Sequence, residues 1–314
     1  MGRYIARRIL AFIPIFFAVA ILTFLMIDLV PGDPVVLMLG LETDGESIAA
    51  MRTELGLDKP LYHRMALWFG KALRGDLGSS YFLHQPMTEA LRERYPVTLS
   101  LAIFGAVIAV GAGVPAGIIA AVNQGRLSDW VAMLLALVVL SIPSFWLALN
   151  LILLFGVKLR WFPVGGYVPL GEDPVEWLRH LFLPGVSLGL AYAAMIARIT
   201  RTSMLEVLRM DYVRTAHAKG LRNLVVIVRH AFKNALIPVL TVVGLAFGGL
   251  LGGSAVTETV YTLPGVGRLS VEAVQRRDYP VIQVGILALT ATYLMINLLV
   301  DILYVFIDPR IRYE

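Results

Sequence analysis

Six long apolar stretches, almost empty of charge, leave this chain few ways to fold. They run over residues 9–30, 98–122, 130–157, 181–197, 235–256 and 281–307. Within all six, the only Asp, Glu, Lys, Arg or His residues are Asp28 and Asp301. The hydrocarbon core of a bilayer is about 30 Å thick and takes roughly 20 apolar residues to cross as a helix. No water is available there, so each segment must satisfy its own backbone hydrogen bonds, and a helix does so. The pattern therefore predicts an all-α integral membrane protein with six transmembrane helices. The composition excludes the alternatives: 58% of residues are apolar, 16% are charged and mean hydropathy is +0.76. A soluble domain usually carries about 25% charge, and a disordered chain still fewer apolar residues. The fourth stretch is short at 17 residues. Its ends are expected to extend into Arg179 or Ile199, or the helix to lie buried among its neighbours.

The first stretch has a basic start (Arg3, Arg7, Arg8) and a signal-peptide-like Ala18-Val19-Ala20. The residues after Ala20 stay apolar to Val30, so it reads as an uncleaved first span. Orientation follows from the basic residues. With the N-terminus inside, the inner segments carry 14 Lys and Arg and the outer ones 13. Seven of those 13 sit in the 67-residue segment 31–97, and the positive-inside rule counts short loops. Fifteen acids fall outside and five inside. Both termini are therefore expected in the cytoplasm. The net charge of +5 becomes an orientation signal, and nucleic acid is not expected as a partner. The absence of cysteine removes disulfide scaffolds, thiol catalysis and cysteine-based metal sites.

Four parts follow. Residues 1–30 form the cytoplasmic start and first span. Residues 31–97 form an outer (periplasmic) loop with short helices near 46–55, 61–73 and 88–94, entered through Pro31-Gly32-Asp33-Pro34. Residues 98–307 form a five-helix core, and 308–314 a cytoplasmic tail. Within the core, segment 198–234 faces the cytoplasm with eight basic residues against two acids. Leu205, Leu208, Tyr212, Thr215 and Ala216, then Leu221, Val225, Val228, Phe232 and Ala235, recur at helix period on either side of Gly220. This predicts a helix–glycine–helix hairpin, Gly220 permitting the sharp turn. On residues alone, such a hairpin suits either anionic lipid or a cytoplasmic protein that approaches its small tip.

Signs of chemistry are sparse. No Gly-x-x-x-x-Gly-Lys-Ser/Thr loop occurs, so no ATP hydrolysis is expected of this chain. His63, His84, His180, His217 and His230 are scattered, and neither a His-Glu-x-x-His nor a Gly-x-Ser-x-Gly motif occurs. No catalytic residue, metal site or resident cofactor is expected. Asp28 and Asp301 lie near the ends of their spans and suit either substrate passage or structural pairing. Glycines four apart recur on the second, fourth and fifth stretches. They suit close packing between helices. On the fifth stretch Gly248, Gly249, Gly252 and Gly253 also suit a pathway or a subunit interface.

The hairpin reads Asp211-Tyr212-Val213-Arg214-Thr215-Ala216-His217-Ala218-Lys219-Gly220-Leu221, and later His230-Ala231-Phe232-Lys233-Asn234-Ala235-Leu236-Ile237-Pro238. This resembles the EAA-type loop of ABC importer permeases, in particular the B-type subunit of the dipeptide, oligopeptide, glutathione and nickel permeases. Further matching motifs are Leu55-Gly56-Leu57-Asp58-Lys59-Pro60, Gly75-Asp76-Leu77-Gly78 and Ser141-Ile142-Pro143-Ser144-Phe145-Trp146. Leu263-Pro264-Gly265-Val266-Gly267-Arg268, Arg277-Asp278-Tyr279-Pro280 and Asp308-Pro309-Arg310 complete the series. The namesake Glu-Ala-Ala is Arg214-Thr215-Ala216 here.

The resemblance implies the type I ABC importer permease fold and a multi-pass place in the bacterial cytoplasmic (inner) membrane. It implies a homologous C-type permease partner, two ATPase subunits that bind ATP and Mg, and a periplasmic or lipid-anchored binding protein, with membrane lipid around the helices. Asp211, Arg214, Thr215, Ala216, Lys219, Gly220 and Leu221 would form the coupling helix that docks on an ATPase. Pro143 and Phe145 join the four glycines as candidate pathway or interface residues. Peptide cargo, dipeptide, oligopeptide or glutathione-like, is favoured over a nickel chelate. A stand-alone secondary transporter would more often show acids or histidines at mid-membrane, and a membrane-embedded enzyme a cluster of reactive side chains.

Overall fold

The computed structural model describes residues 2–29, 35–36, 44–54 and 56–307. Pro31-Gly32-Asp33-Pro34 and the tail 308–314 lie outside the described residues, as does the side chain of Asp28. Eleven helices are named here: α1 (Gly2–Leu29), α2 (Gly45–Glu54), α3 (Leu61–Ala72), α4 (Met87–Val122), α5 (Leu127–Ser141), α6 (Ser144–Leu151), α7 (Pro174–Leu208), α8 (Asp211–Ala218), α9 (Lys233–Val260), α10 (Val266–Arg276) and α11 (Tyr279–Ile307). Among the described residues there is no strand, only an isolated bridge between Ser79 and Pro86. Five helical segments are long and apolar enough to cross a membrane, and a bent pair supplies a sixth if it counts as one span.

That bent pair covers the third apolar stretch, 130–157, which is not one continuous helix. α5 stops at Ser141, and α6 continues through a π-helical turn to Lys158 at an angle of 100°. The cause is Pro143, whose ring excludes an N–H donor and pushes Ile142 out of the helical region, to φ −89° and ψ 125°. α5 has 15 residues, about 22 Å at 1.5 Å per residue, too short to cross about 30 Å of hydrocarbon alone. One correction concerns 88–94. This is no separate short helix, because α4 runs unbroken from Met87 through Pro96 to Val122. Proline's fixed φ is compatible with a helix, and Met87 and Ala90, both 0% exposed, hold the first turns in place.

The chain divides into two compact units, residues 1–98 with 264–294 and residues 99–263 with 295–314. In the first, α3 lies along α1, with Phe69 5.0 Å from Phe17 and Trp68 5.7 Å from Phe24 between ring centroids. Met87, Ala90, Leu269, Ala273, Val281 and Val284 form a core joining α4, α10 and α11. The turn after Gly75-Asp76-Leu77-Gly78 is locked by Asp278. Its carboxylate accepts hydrogen bonds from the Ser80 hydroxyl and from the Tyr81 and Phe82 amides at 3.2 and 3.3 Å. Arg277 makes this reach available by closing α10 in the left-handed region at φ +57°. Two motifs distant in sequence thus form one structure.

In the second unit α7 is the central helix. Its 35 residues absorb the short fourth stretch, and 61% of its apolar window is buried, more than in any other candidate span. Both expectations for that stretch hold. Asp173 starts α7 by accepting hydrogen bonds from the Val175 and Glu176 amides at 2.9 and 3.1 Å, with Pro174 at the first helical position. α4 packs closely on α7 through glycine. A β-carbon on Gly113 would stand 2.6 Å from the Ala193 carbonyl oxygen, and one on Gly117 2.5 Å from that of Ala197. Gly189 meets the Gly105 carbonyl in the same way from the α7 side. The small-residue spacing on these two helices is therefore used within the chain.

Candidate functional site

The hairpin 198–234 folds as its periodicity predicts. α7 ends at Leu208, Arg209 and Met210 turn the chain, and α8 follows with Asp211 in its first turn, where a carboxylate suits the positive end of the helix dipole. α8 closes with the Gly220 amide donating to the His217 carbonyl at 2.9 Å and the Leu221 amide to that of Ala216 at 3.4 Å. Gly220 sits at φ +77°. This pair of bonds around a left-handed glycine is the Schellman closure, and a side chain there would strain the backbone. The return arm runs through Asn223–Val225 and a π-helical segment, Val226–Phe232, into α9.

α8 has one seated face and one free face. Val213 and Ala216 pack on Val226, with Val207 and Leu208 beside them. Below, Ala121 of α4, Met204 of α7 and Ala231 and Ala235 of the return arm close a second core. Asp211, Arg214, Thr215, Lys219, Gly220 and Leu221 are exposed. Arg214 meets Asp211 at 3.4 Å, an open surface pair of little energetic weight. Met210, Tyr212, Leu221 and Leu224 are exposed beside these charges. Of the seven residues singled out by sequence, six lie on the free face or its turn, and Ala216 anchors the seat.

The candidate pathway residues fall into two groups. Gly249 and Gly253 of α9 approach Tyr192 and Leu188 of α7, so they serve packing within the chain. Gly252 is exposed with nothing within 4 Å of a β-carbon, and Gly248 is half-buried. Leu245 and Val256, about three turns apart on either side of Gly248 and Gly252, are exposed as well. α9 thus keeps an open stripe of small and apolar residues. Pro143 forms the bend before α6, where Phe145 and Trp146 are each half exposed. Asp301 is buried in α11.

Sequence reasoning missed an ion pair at the root of the hairpin. Asp129, in the first turn of α5, receives Arg201 of α7 in a two-pronged contact, Nε to Oδ1 at 2.6 Å and Nη2 to Oδ2 at 2.8 Å. The Gly125 amide donates to Oδ2 at 3.0 Å. The one available signal was an acid standing directly before an apolar run. Its partner is 72 positions away and counted only as one basic residue among eight. Glu258, fully buried just past the fifth stretch, was missed for a similar reason.

Known proteins resemble this chain along its whole length. Residues 113–313 match the family described as binding-protein-dependent transport system inner membrane component, and residues 1–102 match the N-terminal family of such membrane components. The chain is 45% identical over 314 residues to the glutathione transport system permease protein GsiC of Escherichia coli O6:H1, covering all of both chains. It is 43% identical over 333 aligned positions, again end to end, to the dipeptide transport system permease protein DppB of Alkalihalophilus pseudofirmus. A Brucella abortus protein provisionally named a peptide transport system permease is 46% identical over 314 residues, at full coverage of both. Among solved structures, the inward-facing MetNI methionine ABC transporter matches with a TM-score of 0.58 at 17% identity, over 71% of this chain and 99% of the other. That likeness speaks to fold alone.

Proposed function

Because this chain belongs to the binding-protein-dependent transport system inner membrane components, we propose that it forms half of a membrane pathway importing peptides, with α8 as the helix that receives the force of ATP binding. It is an ABC importer permease subunit, a multi-pass protein of the bacterial inner membrane, and a membrane component rather than an ATPase. The dipeptide and glutathione systems of its relatives support peptide-type cargo. Both termini and the hairpin 198–234 face the cytoplasm in this reading. Two ATPase subunits, which bind the ATP and Mg, lie beneath. A homologous C-type permease completes the pathway against the open stripe of α9, and a binding protein delivers cargo from the outer side.

The observation that carries the proposal is the two-faced α8: an apolar face seated on the root of the hairpin, and an exposed face whose charges stand with Tyr212 and, in the flanking turns and return arm, with exposed Met210, Leu221 and Leu224. Lipid alone does not require the closed glycine turn at Gly220. α7 is continuous from Pro174 to Leu208, about 52 Å at 1.5 Å per residue. A push on α8 therefore reaches the whole depth of the unit. With no charge in the middle of the apolar stretches, cargo preference rests mainly with the binding protein. The test is reconstitution of the copurified importer in proteoliposomes with labelled dipeptide and glutathione. ATP-dependent uptake is expected, and Ala216→Glu, which places a charge in the seat of α8, abolishes it while the chain still inserts. Uptake by this chain alone without ATP, or unchanged uptake by Ala216→Glu, overturns the reading.

A further inference from the structure

We propose that Asp129 and Arg201 are positioning residues that carry the displacement of the hairpin into the bent pair α5–α6; this deepens the permease reading and rests on it. The Asp129 side chain is 5% exposed and that of Arg201 25%, so the pair is largely withdrawn from water. A buried ion pair is a poor source of stability, because desolvation offsets most of the attraction, and registry is its best-attested use. The contacts that seat α8 include the apolar cluster of Val213, Ala216 and Val226, and a second apolar cluster of Ala121, Met204 and Ala231 lies beside it. The hydrophobic attraction itself has no preferred direction. A two-pronged guanidinium–carboxylate contact fixes distance and angle together.

The placement of the pair gives it a task. Arg201 lies two turns before the end of α7, so it moves with the helix that leads into α8. Asp129 lies in the first turn of α5 and is also held by the Gly125 amide, at the left-handed turn (φ +76°) that joins α4 to α5. α5 then leads directly to the 100° bend at Pro143 and to exposed Phe145. Displacement of α7 at Arg201 must drag the start of α5 and swing α6 about Pro143. Without the pair, the hairpin is still seated and still docks, but α6 no longer follows.

The absence of native cysteine makes the test clean. The assembled importer carries Phe145→Cys as the sole cysteine of this chain. Its maleimide labelling rate is compared without nucleotide and with ATP plus vanadate. The intact pair is expected to give about a fivefold or larger change, the lower range of ordinary coupling between sites. Asp129→Asn and Arg201→Gln bring the ratio close to one in assembled complexes that still hydrolyse ATP. The exchanged pair Asp129→Arg with Arg201→Asp restores it. An unchanged ratio in Asp129→Asn overturns the proposal. If a single variant fails to assemble, the exchanged pair decides: assembly with a restored ratio supports the proposal, and assembly with a flat ratio overturns it. Ala216→Glu separates the two levels. If it flattens the ratio while Asp129→Asn does not, only this inference fails. If the unmodified chain shows no nucleotide dependence or brings no ATPase along, the permease reading fails.

Discussion

Two single methyl groups, six residues apart on α4, are expected to change stability in opposite directions. At Gly117 a β-carbon would lie 2.5 Å from the Ala197 carbonyl oxygen and 2.6 Å from the Thr200 β-carbon. Comfortable separations are about 3.5 Å, so α4 and α7 would have to part by roughly 1 Å. Neither obstructing atom can rotate away, which places Gly117→Ala near the upper end of the overpacking range, about 3 kcal/mol. Better helix propensity returns about 1 kcal/mol, leaving a net loss of about 2 kcal/mol. At Gly111 nothing lies within 4 Å, so Gly111→Ala keeps the propensity gain of about 1 kcal/mol. The assay is the thermal midpoint of the detergent-solubilised protein, followed by the monodisperse fraction on size-exclusion chromatography. Gly117→Ala should melt below the unsubstituted chain and Gly111→Ala at or above it. Equal shifts of the same sign would refute the glycine-mediated contact between these helices.

Gly220→Pro should abolish ATP-driven uptake without preventing insertion, because proline cannot adopt φ +77° and cannot donate to the His217 carbonyl; uptake at the original rate contradicts the role of the turn. Asp278→Ala removes the acceptor of the Ser80 hydroxyl and of two amides, a local loss of about 2–4 kcal/mol. Limited proteolysis between residues 75 and 86 should accelerate, and an unchanged cleavage rate argues against the latch. Burial pushes the Tyr81 phenol up to about 12, against roughly 10 for a free tyrosine. Because the folded value is raised, its contribution to stability is complete below pH ~10 and is lost as pH rises toward 12. An alkaline difference titration against Tyr81→Phe should show this group ionising after the exposed tyrosines; ionisation together with them would be inconsistent with burial.

The residues that sequence placed well obey short-range rules. The number and extent of apolar stretches follow from the cost of exposing peptide groups to lipid, which depends on each segment's own composition. The hairpin was legible because α8 and its return arm are amphipathic around a glycine whose conformation other residues avoid. The third stretch shows the limit of that reading. Its composition is uniformly apolar across 130–157, and Pro143 announces a bend without stating its size. A proline in lipid kinks, breaks or passes almost straight according to what packs around the freed carbonyls, and here the chain turns by 100°. Pro96 carries the same local signal yet leaves α4 continuous, because Met87 and Ala90 are held in a core.

Sequence by itself determined that the chain is a bundle of membrane helices with one exposed amphipathic hairpin, since hydropathy and helix period are properties of neighbours along the chain. Tertiary structure alone decided which glycines are filled by a neighbouring backbone and which, like Gly252, stay open. It also decided that Asp129 meets Arg201 and that Asp278 meets the turn at Ser80. Those pairings depend on which residues close the distance across 72 and 198 positions, and composition and period carry no information about contacts of that range.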